Sequence, residues 1–146
     1  MERWVVPGTG GGTGTQTNPF RGLQAAADSL VEGTAVFFHV AAGTYDAFIV
    51  STSGKNSKFP HVFQGPKSGS AVVDGGNTDR HVVQVGEFDV TTSFIVLDRL
   101  TIQNGKVMLL NLHFGCCFQV KRFSGCWGAL FLLSRSLSGY SSMLTG

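Results

Sequence analysis

The 146-residue chain is poor in charge, in cysteine over most of its length and in long apolar runs. Only 14% of its residues are charged and the formal net charge is +2, too little to argue for a nucleic acid or an anionic membrane as partner. The three cysteines, Cys116, Cys117 and Cys126, all lie beyond residue 115 and lack the paired spacing of a zinc site. The longest apolar runs, "VMLLNLHFGCCFQV" and "CWGALFLL", are separated by "KRFSG". Neither reaches the roughly 18–20 residues of a membrane span. The opening "MERWVVPG" shows no basic stretch followed by an apolar one, so no signal peptide is visible. Acidic residues are missing from one end: all nine lie at or before Asp98, and residues 106–146 carry four basic residues and no acid.

Glycine is abundant. The 20 glycines are about twice the usual share of roughly 7%. Together with many short apolar runs they predict a β architecture with tight turns. The stretch "NPFRGLQAAADSL" (18–30) predicts the one helix of the first hundred residues. Asn18 suits an N-cap, Pro19 the first turn, and Gly33 a left-handed end. Phe20, Leu23, Ala27, Leu30 and Val31 fall on one face, with Arg21, Gln24, Asp28 and Glu32 on the other. So short a helix is marginal alone and must lay its apolar face on something.

Apolar triplets recur: "FIV" at 48–50, "AVV" at 71–73 and "FIV" at 94–96, which sets Ile49, Val72 and Ile95 at a 23-residue offset. A looser set is "HVFQG" (61–65), "HVVQV" (81–85) and "LTIQN" (100–104). Segments rich in Gly, Asn, Ser and Asp lie between them. A period of this size in β-rich units predicts a solenoid of stacked parallel strands, with Ile49, Val72 and Ile95 in one inward column. The helix then covers the open first end, which would otherwise expose apolar core and unpaired backbone.

"WVVPGTGGGTGTQTNPFRGLQAA", "VAAGTYDAFIVSTSG", "AVVDG" and "LDRLTIQNG" occur in that order. Over residues 4–105 this succession resembles the start of right-handed parallel β-helix proteins of the pectate-lyase-like superfamily. One departure is "EGTAVFFHV", where that family usually has a Gly-Asp-Thr turn. The resemblance implies an all-β solenoid of about three to four coils with an N-terminal capping helix. It also implies an extracellular or cell-envelope location and a polysaccharide partner. Residues 1–105 are expected to hold the cap and first coils. Residues 106–146 form an atypical tail with three readings: out-of-frame sequence, a divergent terminal coil, or a partner-binding segment.

Chemistry-bearing residues are few. Asp74 follows the second triplet and Asp98 the third. In the 23-residue register they fall one position out of line on neighbouring coils, where they could share a calcium ion with backbone carbonyls. The alternative is that each accepts backbone hydrogen bonds in a turn. Asp79, Arg80 and His81 form "DRH": arginine can hold a sugar carboxylate and histidine can act as base. The alternative is a turn leading into a strand, as His61 leads "HVFQG". Asp79 and Arg99 are candidates to bind such an acidic sugar. Lys67 and Arg99 are the nearest cations that could stabilise the enolate charge of β-elimination, and the alternative is that both are solvated beside turns or strands. Tyr45, His39 and His113 read as packing or strand residues. "GTGGGTGTQT" lacks the Gly-Lys-Ser/Thr ending of a phosphate loop. The expectation is a non-catalytic N-terminal piece of a β-helix protein, a scaffold or carbohydrate contact with no cofactor. The alternatives are a lyase or hydrolase of acidic polysaccharides, with calcium if a lyase, and an adhesin-like interaction protein.

Overall fold

The computed structural model describes residues 1–76, 81–86, 92–110, 118–121 and 131–133. Strands form where the apolar runs are. In chain order the elements are β1 (Glu2–Val6), β2 (Phe20–Arg21), α1 (Leu23–Asp28), β3 (Phe37–Val40), β4 (Gly43–Tyr45), β5 (Phe48–Val50), β6 (His61–Gln64) and β7 (Ala71–Asp74). They continue with β8 (His81–Val85), β9 (Ile95–Asp98), β10 (Leu100–Gln103), β11 (Lys106–Leu110), β12 (Phe118–Lys121) and β13 (Phe131–Leu133). The fold is mostly β, with little helix. α1, the one helix among the described residues, is far too short to cross a membrane.

The strands lie in three parallel sheets. The first has the order β12-β9-β6-β3-β1-β2, the second β10-β7-β4 and the third β13-β11-β8-β5. From β3 onward the chain visits the first, second and third sheets in turn, as β3-β4-β5, then β6-β7-β8, then β9-β10-β11. Parallel neighbours need a long connection between them. Here that connection is the passage through the other two sheets.

The expected parallel stacking of residues 34–104 is therefore present, but the 23-residue column is not. Ile49, Val72 and Ile95 lie in three different sheets, and Ile49 is 39% exposed. The triplet spacing measured the step from one sheet to another rather than the return to the same sheet. True neighbours in the first sheet are Phe38, Phe63, Leu97 and Val120, at offsets of 25, 34 and 23 residues. The offsets vary because the turns vary, from a single residue between β9 and β10 to ten between β5 and β6. Among the described strands the 23-residue offset is kept in the β9–β12 and β11–β13 steps, which pair Ile95 with Phe118 and Met108 with Phe131.

Side chains alternate in and out as strands require. The inward set forms the core: Val5, Phe38 and Phe63 in the first sheet, Tyr45, Val73 and Ile102 in the second, Phe48, Val50, Val83 and Val85 in the third. Phe38 and Phe63 stack with ring centroids 4.6 Å apart, and Phe48 tilts onto Phe63 at 5.6 Å. The Tyr45 hydroxyl donates to the Ala41 carbonyl at 2.8 Å, and burial pushes its pKa up.

The helix is shorter than its sequence pattern. Phe20 and Arg21 pair with Val5 and Val6 as β2, and Gly22 is the N-cap at φ +92°. That left-handed backbone favours glycine and breaks the helix before Leu23. Asn18 does not cap it; its side chain donates to Thr13 Oγ1. Gly33 is left-handed at φ +70°, but the helix has already ended at Ser29. Leu23, Ala27 and Leu30 are buried as expected, whereas Val31 is 61% exposed. α1 packs on β5, at the edge of the third sheet. Gln24 closes that edge: its Oε1 accepts from Ile49 N–H at 2.9 Å and its Nε2 donates to the Ile49 carbonyl at 3.3 Å. Asp28 steadies the amide by accepting from Nε2 at 2.8 Å.

Candidate functional site

The outer face of the first sheet gathers more varied polar and aromatic side chains than sequence reading had placed together. One row crosses its strands in register: Trp4 of β1, His39 of β3, Gln64 of β6 and Asp98 of β9. Trp4 and His39 stack at 5.1 Å with 23° between their planes, and Phe37 tilts onto His39 at 4.9 Å. Glu2 Oε2 lies 3.5 Å from His39 Nε2. Farther along the row Gln64 Nε2 donates to Asp98 Oδ2 at 2.8 Å, and Arg99 Nε lies 3.5 Å from the same oxygen; Lys121 of β12 is next in register. The row thus passes from aromatic to amide to carboxylate. The sequence held a signal for it: Trp4, Phe37 and His39 occupy outward positions in "RWVV" and "FFHV". Without the register it could not be read.

Asp74 sits at the end of β7 on the second sheet. Its carboxylate accepts from Gly76 N–H at 2.8 Å, Gln103 Nε2 at 2.8 Å and Asn104 Nδ2 at 2.9 Å. These bonds, the Gly76 backbone first, hold its pKa below the usual carboxylate value. Asp74 faces Gln103, and Asp98 faces Gln64, in separate sheets. The expected placement of Asp74 and Asp98 one position out of line on neighbouring coils, on which a shared calcium rested, is thus replaced by two aspartate–glutamine pairs. Among the described residues no group of three or more His, Cys, Asp or Glu side chains is placed to hold a metal.

The remaining candidates separate. His81 opens β8, half-buried, opposite Lys106 of β11. Asp79 and Arg80, like His113 and the three cysteines, lie outside the described residues. Arg99 takes a left-handed backbone at φ +55° between β9 and β10, and Gly65 leaves room for its carbonyl. Lys67 is exposed in the β6–β7 connection. Tyr45 is a packing residue and His39 a strand residue, as read from the sequence, but His39 faces outward.

His61 is completely buried near Ser53 and Glu32, residue types that could make a nucleophile, base and orienting acid. The geometry disqualifies them. His61 Nδ1 accepts from Val36 N–H at 3.3 Å, so the ring proton sits on Nε2, and a sealed Nε2–H is no base. Glu32 accepts from the Ser53 N–H at 2.9 Å, and Ser53 Oγ accepts from Ser93 N–H at 3.1 Å. These are the hydrogen bonds of a buried corner.

Compared with protein-family models, with curated proteins and with solved structures, the chain matches none.

Proposed function

We propose that the chain is a right-handed parallel β-helix scaffold that offers the outer face of its first sheet to a polysaccharide. The order in which the chain visits its three sheets supports the β-helix reading, since each visit adds one strand beside the last in every sheet. The observation that carries the binding reading is the outward row Trp4–His39–Gln64–Asp98. Its rows repeat at about 4.8 Å, the spacing of strands, which is comparable to one sugar unit of a polymer. Aromatic rings meet sugar C–H groups, while the amide and carboxylate meet hydroxyls. Binding rather than catalysis fits the described carboxylates, because Asp74 and Asp98 are already engaged by neighbouring amides.

Affinity electrophoresis in gels containing soluble pectate, alginate or xylan tests this reading. Retardation by at least one polymer, lost in Trp4→Ala and in His39→Ala, is the expected result. No retardation, or retardation as strong in both variants as in the wild type, would count against it.

A further inference from the structure

We infer that His61 is an acid-sensitive latch that holds the starts of β3 and β6 together in its neutral form and releases them when protonated. His61 is the first residue of β6 and is completely buried. Its backbone N–H donates to the Phe94 carbonyl at 2.9 Å, which ties it to the turn before β9. Its Nδ1 accepts the Val36 N–H just ahead of β3. One residue therefore joins three stretches that meet at this corner, and its side chain supplies the bond to the stretch before β3. Protonation places a hydrogen on Nδ1, where it confronts the Val36 N–H. Two donors cannot bond, so the latch bond is lost and a charged ring is left without water.

The surroundings offer that charge little. The segment 92–95 brings Thr92, Ser93, Phe94 and Ile95, none of them titratable. The β5–β6 connection brings Ser53 and Gly54, while Lys55 turns away over the Phe59 ring. The segment before β3 brings Glu32, among the described residues the one carboxylate that acts on His61. Glu32 is exposed, so an imidazolium leaving the core moves toward it and toward water. Burial lowers the His61 pKa below 6.5, and the Ser53 backbone and Glu32 offset only part of that shift. The sign follows. Above 6.5 both closed and open forms carry neutral His61 and the latch is at full strength. Below it the open form takes up a proton first, and opening is favoured by about tenfold per pH unit until the closed form also protonates.

Amide hydrogen exchange of the intact chain by NMR tests this, with each rate corrected for its intrinsic pH dependence. Val36 protection is expected to fall about tenfold per pH unit below 6.5, while Phe38 and Phe63 stay constant. The His61 ring resonances should titrate at the lower pH where that loss levels off. In His61→Asn, whose amide oxygen takes the place of Nδ1 and can still accept from Val36, the pH dependence should vanish. Ring titration with Val36 protection unchanged would overturn the latch, and so would a pH-dependent loss that persists in His61→Asn. Should the variant not fold, the wild-type comparison of ring titration and Val36 protection decides alone.

Discussion

Glutamine and aspartate face each other twice across neighbouring strands, as Gln64–Asp98 and as Asp74–Gln103. In a parallel stack, equivalent positions lie directly side by side, so two aspartates there would repel. Alternating an amide with a carboxylate gives donor to acceptor instead, at 2.8 Å in both pairs. The Asp74 carboxylate has a stability consequence with a definite sign. Its native pKa lies below the ordinary value of 3.8, so its contribution is full above that value and is lost as pH falls through the lowered native one. Asp74→Asn should lower the urea midpoint at neutral pH and weaken its decline below 3.8. An acid limb as steep as that of the wild type, measured by urea titration across pH, would show that other groups govern it.

At the scale of elements, α1 does two separate things to the end of the molecule. Leu23, 1% exposed, supplies apolar burial, and Gln24 supplies the hydrogen bonds that the β5 edge lacks. Truncating each should separate them. Leu23→Ala should cost about 2–5 kcal/mol in denaturant unfolding. Gln24→Ala should cost only about 1 kcal/mol, yet should hasten aggregation seen by light scattering, because it bares the Ile49 backbone to another chain. If Gln24→Ala stays as monodisperse as the wild type, the amide is not what guards that edge.

The helix also shows what the sequence could and could not reveal. Its existence, its position at one end and the burial of Leu23, Ala27 and Leu30 followed from spacing. Its start did not, because Phe20 continues the helical stripe equally well and only its pairing with Val5 makes it a strand. The strands were legible in the same way: "FIV" at 48–50 and "HVVQV" at 81–85 coincide with β5 and β8. Register was not, since it depends on turn lengths that apolar pattern does not encode.

For the whole molecule, that missing register hid the surface of most interest. Trp4, His39, Gln64 and Asp98 are scattered over 95 positions and share a face only because each return of the chain sets the next strand alongside. The candidates that sequence did suggest lay close together in the chain, Asp79, Arg80 and His81 among them. Spatial order in a parallel stack runs across the chain rather than along it. The same geometry makes the proposed scaffold testable as a surface. The most direct measurement is backbone amide NMR of the chain titrated with an oligosaccharide of a polymer that retards it. Shifts should concentrate at Trp4, His39, Gln64 and Asp98 and be small on the second and third sheets. Shifts centred instead on Asp74 and His81, or none at saturating sugar, would contradict the first-sheet face as the binding surface.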